Sequence, residues 1–172
     1  VPYDSYMEKV SEKVKALCAE KNLKLPFILI EPGRSIAGPA GITLYTVGGI
    51  KHIPNIRTYI SVDGGMGDNP RYALYKSKYD FVNALRASEL KSETVTVAGK
   101  CCESGDLLGE GAPIQHTEEG DIIAVLATGA YNYSMSSNYN RIPKPPVVMV
   151  KDGTSRVIVK RETLEDIVRN DI

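Results

Sequence analysis

The chain has 172 residues, with 21 Lys plus Arg balanced by 21 Asp plus Glu. A net charge of zero argues against nucleic acid or a membrane surface as partner, and the length suits one domain, or a domain with an appendage, held by a sizeable apolar core. Three cysteines (Cys18, Cys101, Cys102), with no secretory signal and no apolar run of membrane-spanning length, point to a reducing cytoplasm and a small-molecule or protein partner.

In chain order, Met7, Val10, Val14, Leu17 and Cys18 recur at three- and four-residue steps. This predicts an amphipathic helix from Ser5 to about Lys21, with Ser5 and Glu8 forming an S-x-x-E capping box. "LPFILI", Leu25 to Ile30, is a short apolar run that suits a strand buried on both faces, as in a parallel sheet. After Gly33 the texture changes to β-branched or alternating segments parted by Gly, Pro, Asn and Asp: "ITLYTVGGI", "RTYISVDGG", "ETVTVAGK", "GDIIAVLATGA" and "PPVVMVKDGTSRVIV". These predict antiparallel strands of a sandwich or Greek-key barrel. Within the last, Asp152-Gly153 supplies the positive φ angles of a tight hairpin. "NPRYALYKSKYDFVNAL" reads as irregular or weakly helical, and a final helix is expected from about Arg161 to Asn170. No internal repeat or flexible linker interrupts the chain.

Four stretches carry candidate chemistry, each with a plainer alternative. "EPGRS", Glu31 to Ser35, puts an acid, a Pro-Gly turn and an arginine at the end of the expected buried strand, where α/β folds bind ligands. Arg34 offers a planar fork for phosphate or carboxylate; the alternative is a turn with a surface ion pair. "VDGGMGDNPRYALY" ends in Arg71 and Tyr75, four residues apart, which would share one face and suit one carboxylate if the segment is helical; the alternative is a solvated loop arginine. "GKCCESGD" suits neither a metal site, since adjacent cysteines do not readily take two corners of a tetrahedron and neither His52 nor His116 has ligand spacing, nor a disulfide, which would be strained. A cysteine that exchanges a proton beside Glu103 stands against two cysteines that merely pack. "GAYNYSMSSNYN" crowds Tyr131, Tyr133 and Tyr139 among small polar residues, fitting a ligand wall, a subunit interface or an exposed loop.

Taken together and in order, "EPGRSI", "VDGGMGDNPRYALY", "AGKCCESGD" and "ATGAYNYSMSSNYN" closely resemble the C-terminal portion of the diaminopimelate decarboxylases, pyridoxal-phosphate enzymes of the fold-type III, alanine-racemase-like group. The resemblance runs from about Pro26 almost to Ile172. It implies a cofactor-bearing (β/α)₈ barrel joined to a C-terminal β domain, a homodimer with shared active sites, and conversion of meso-diaminopimelate to L-lysine and CO₂. By motif, Glu31, Pro32, Gly33 and Arg34 match the stretch against the cofactor phosphate, and Arg34 also matches a substrate-binding arginine. Arg71 and Tyr75 match the residues holding the distal carboxylate, Glu103 the reader of the distal ammonium, and Tyr131 a tyrosine contacting cofactor and substrate. Cys102 matches the catalytic cysteine, reaching the site from the other subunit, and Cys101 has no assigned role. Ornithine decarboxylases share an EPGR-like stretch, but aspartate commonly follows their cysteine, so Cys102-Glu103 favours diaminopimelate.

Residues 1–36 are accordingly expected to be the last helix and strand of such a barrel and 37–172 the β domain; the strand, without its sheet neighbours, is expected to pair with another chain, pack aberrantly or be disordered. The chain begins Val1-Pro2 rather than with methionine, a start expected of a processed or a truncated chain. The resemblance also implies that the Schiff-base lysine lies outside this sequence and that the fragment is inactive alone. A non-catalytic dimerisation module and a related ornithine- or arginine-type decarboxylase are the rival readings.

Overall fold

An exposed helix, α1 (Tyr3–Glu20), opens the computed structural model, which describes residues 2–172 and divides into two units, 1–32 and 33–172. The helix starts two residues ahead of the predicted Ser5. Pro2 takes the N-cap position, its fixed φ suiting a helix entry, so Ser5 falls inside the first turn and the predicted capping box does not form. At the other end Asn22 turns left-handed (φ 50°), and Leu23 N–H donates to Cys18 C=O at 2.8 Å in a Schellman closure.

The predicted buried strand at Leu25–Ile30 is not formed. These residues are irregular and exposed, with Leu29 92% accessible. A strand buried on both faces exists only between neighbouring strands, and among the described residues none pairs with this run.

The second unit begins with a short helix, α2 (Gly33–Ala37), and a 3₁₀ turn (Gly38–Ala40). Six strands then form one sheet: β1 (Thr43–Ile53), β2 (Arg57–Val62), β3 (Phe81–Asn83), β4 (Glu93–Ala98), β5 (Leu107–Ile114) and β6 (Ile122–Val125). A single helical turn, α3 (Arg71–Tyr75), lies between β2 and β3. The spatial order is β3-β6-β1-β2-β4-β5. The predicted mainly antiparallel barrel is therefore present, with one departure: β2 and β4 run parallel, pairing Ile60 with Val97. The long connection from β2 through α3 and β3 carries the chain across the sheet, so β4 returns in the direction of β2.

The two edge strands nearly close the barrel. Gly109 in β5 leaves room for the Phe81 ring of β3, and Asn83 N–H donates to the Gln115 side chain at 3.0 Å. Ile60, Val97, Leu108, Ile114, Ile123 and Val125 fill the interior with essentially no exposure. At one rim, Asn83 Nδ2 donates to Asp121 Oδ2 at 2.8 Å, and Arg86 pairs with the same carboxylate. Burial pushes the Asp121 pKa up, but the Glu118 N–H, Asn83 and Arg86 together hold it below the ordinary aspartate value.

Two strands differ from the sequence reading. β5, "LLGEGAPI", carries two glycines and a proline that interrupt alternation, and β3 has only three residues in a stretch predicted as irregular or weakly helical. Both are held by tertiary pairing rather than by local pattern. The final hairpin, β7 (Val147–Lys151) and β8 (Thr154–Val159), forms as predicted, with Asp152 (φ 50°) and Gly153 (φ 73°) at its tip. Its strands are separate from the six-stranded sheet. A four-residue helix, α4 (Asn132–Met135), precedes it. The last helix, α5 (Leu164–Val168), is shorter than the predicted span because Thr163 and Asp166 form a capping box there, while Glu162 is drawn away to Lys144 N–H at 2.8 Å. Among the described residues no helix is long and apolar enough to cross a membrane.

Candidate active site

At the start of β1 and the end of β6 two glycines let the backbones touch. Gly129 N–H donates to Gly38 C=O at 3.0 Å and Thr128 N–H to Gly41 C=O at 2.9 Å. A Cβ on Gly41 would lie 2.5 Å from Gly129 Cα, so neither position tolerates a side chain without movement. This contact locks the turn following Arg34 against the segment leading into Tyr131. The Arg34 side chain runs beside it, its Cγ 3.7 Å from where a Cβ on Gly38 would sit.

Tyr131 is held at φ 72° and ψ −33°, a conformation rare for a residue with a side chain. The ring accepts the Arg71 guanidinium over its face at 4.7 Å, and Tyr75, one turn along α3, lies 5.4 Å from the same guanidinium. Arg71 also donates to Ser77 Oγ at 3.3 Å. Helix α3 ends immediately after Tyr75 because Lys76 turns left-handed (φ 53°), which returns the chain toward Ser77. Arg71, Tyr75 and Tyr131 therefore converge in the folded chain, although they come from separate sequence blocks.

Tyr79 joins this cluster, donating to Asn132 Oδ1 at 3.4 Å. Burial pushes its phenol pKa up, and the Arg71 and Arg34 guanidinium groups pull it back. The tyrosine-rich stretch around Tyr79 was the available signal, but nothing local singles it out from Tyr72 or Tyr75. The Arg71 guanidinium, set against two aromatic rings, is chemically suited to an anionic ligand group, carboxylate or phosphate.

The second cluster is the cysteine turn. Cys102 is exposed and Cys101 half-buried, and neither is in a disulfide. Burial first, and then the Asp106 charge, raises the Cys101 thiol pKa to about 11, which keeps it a neutral packing group. Glu103 lies on the exposed side and closes its own turn, accepting Gly105 N–H at 3.0 Å. Asp106, not recognised in the sequence, is almost fully buried. It accepts Met66 N–H at 2.6 Å and Cys101 N–H at 2.7 Å, joining the glycine-rich loop to the cysteine turn. Nearby, Asp68 accepts Gly65 N–H at 2.9 Å and the Tyr45 hydroxyl, and burial raises the pKa of both side chains. Of the remaining candidates, Glu31 and Pro32 lie in the first unit, while Gly33 and Arg34 open the second.

The residues fit a phosphate-bearing cofactor. A Cβ on Gly33 would meet nothing within 4 Å, which leaves its backbone open to close approach, and Arg34 beside it supplies a cationic fork. Fold and sequence define the class: residues 3–129 match the C-terminal sheet domain of the pyridoxal-dependent decarboxylases, and the chain belongs to that family. Relatives named diaminopimelate decarboxylase are among those similar to it. That of Bacillus subtilis is 53% identical over 97% of this chain, and that of Halalkalibacterium halodurans 51% identical over 99%. The M. jannaschii diaminopimelate decarboxylase in complex with L-lysine superposes with a TM-score of 0.76 at 33% identity, covering 91% of this chain and 36% of that one. The chain spans 38% of the Bacillus subtilis relative's length and 39% of the Halalkalibacterium one's.

Proposed function

We propose that this chain is the substrate-recognising part of a cytoplasmic, homodimeric diaminopimelate decarboxylase, which converts meso-diaminopimelate to L-lysine and CO₂. The observation that carries the reading is the convergence of Arg71, Tyr75 and Tyr131. Diaminopimelate is an amino acid at both ends, so its distal end offers a carboxylate and an ammonium. Arg71 with Tyr75 binds the carboxylate and Glu103 the ammonium. Ornithine lacks that carboxylate and would leave Arg71 unpaired, which is how such a site discriminates.

Bound pyridoxal phosphate supplies the electron sink for loss of CO₂. Glu31, Pro32, Gly33 and Arg34 would hold its phosphate, and Tyr131 would contact both cofactor and substrate. The family resemblance implies that the Schiff-base lysine lies outside this sequence. The exposed Cys102 thiol returns a proton to the substrate α-carbon as general acid, reaching the site of the other subunit. Cys101 packs.

The test supplies this chain with the separately expressed barrel portion of the Bacillus subtilis relative and follows lysine formation by mass spectrometry. Turnover that appears only with both parts, falls at least 100-fold in Cys102→Ala, and is not supported by ornithine or arginine is the expected result. Dimer formation without any turnover would instead favour a non-catalytic interaction module, and turnover of ornithine a different substrate.

A further inference from the structure

Two loops bear the proposed substrate-binding and proton-donating groups: the glycine-rich loop leading into Arg71, and the turn holding Cys102 and Glu103. One buried carboxylate joins them. Asp106 is 3% exposed and places one oxygen on each loop, Oδ1 on Met66 N–H and Oδ2 on Cys101 N–H. The packing leaves room for nothing else. A Cβ on Gly65 would lie 2.5 Å from Oδ1, and one on Gly99 would overlap Oδ2, so both glycines are cut away around this one group. Lys100 N–H donating to Gly64 C=O at 3.0 Å and Gly99 N–H donating to Asp106 C=O at 2.8 Å run alongside. On the loop side, Gly65 C=O accepts Asn69 N–H at 2.9 Å, carrying the constraint on toward Arg71.

We infer that Asp106 is a positioning residue, whose two carboxylate oxygens anchor the Cys102–Glu103 turn to the glycine-rich loop of its own chain, so that the turn is held in one place to serve the other subunit's site. A carboxylate suits the task because both oxygens accept, whereas an amide of the same shape presents an acceptor to one N–H and a donor to the other. Charge-assisted bonds to backbone N–H groups are also stronger than neutral ones. The geometry stands on this chain alone; its catalytic consequence rests on the decarboxylase reading.

The first test uses the unsubstituted chain. NMR couplings across hydrogen bonds, from the Met66 and Cys101 amide nitrogens to the Asp106 side-chain carboxylate carbon, are expected, and absence of either overturns the inference. The second is Asp106→Asn. Amide exchange at Met66 and Cys101 should accelerate at least tenfold, with the core amides of Ile60 and Val97 unchanged; unchanged exchange at both loops overturns the clamp. If the variant does not fold, the couplings decide. In the complemented enzyme, Asp106→Asn should raise KM for diaminopimelate at least fivefold as well as lowering kcat. A merely structural role would lower kcat in proportion to the folded fraction and leave KM alone, and that result overturns positioning. If the unsubstituted pair makes no lysine, the decarboxylase reading fails, and the couplings and exchange rates still decide the clamp.

Discussion

The two adjacent cysteines show how one residue type takes opposite characters within a single turn. Cys101 sits half-buried beside the Asp106 carboxylate, and burial first, then that charge, raises its thiol pKa to about 11, whereas Cys102 faces solvent. Thiolate is the reactive form. Iodoacetamide at pH 8.5, followed by peptide mapping, should therefore label Cys102 at least tenfold faster than Cys101, and equal labelling would contradict the arrangement. Cys102 and Glu103 stood out as candidates because the order of the motif resembles the family's. Asp106 did not, since its importance lies in the two distant N–H groups it meets, and an Asp closing a Ser-Gly turn looks like ordinary turn chemistry.

At the scale of elements, local pattern and tertiary pairing can be told apart strand by strand. The hairpin of β7 and β8 follows from alternation and an Asp-Gly turn, both local. The strand β5 follows from neither, and its glycine at 109 exists to admit the Phe81 ring. Gly109→Ala would put a methyl 2.7 Å from that ring. The expected cost is about 1–3 kcal/mol for overpacking, measured as a lowered urea midpoint, and Phe81→Leu should restore part of it in the double variant. Additive losses would mean the two residues do not meet. The unformed strand at Leu25–Ile30 makes the converse point, because an apolar run acquires strand geometry only from the strands beside it.

For the whole molecule, the rim of the barrel couples stability to pH. His116 Nδ1 lies 2.6 Å from Glu93 Oε1, and its pKa is raised by that hydrogen bond and charge, with Glu118 adding a little. A histidine whose folded pKa exceeds its unfolded value of about 6.5 adds stability that is fully present below that pH and is lost as pH rises through the folded value. His116→Gln should thus lower the urea midpoint at pH 5.5 and have little effect at pH 9, a small effect given the exposure of the pair. The opposite order would refute the ion pair.

Residue order alone was enough for the β-rich character, the Asp-Gly hairpin and the four motif blocks that mark the family, because turn chemistry and the functional groups of side chains are local properties. Closure of the barrel, the parallel β2–β4 pair and the meeting of Arg71 with Tyr131 were settled only in three dimensions. The Gly41–Gly129 approach and the sheet register bring together segments far apart in the chain, and no local pattern encodes which of them will touch.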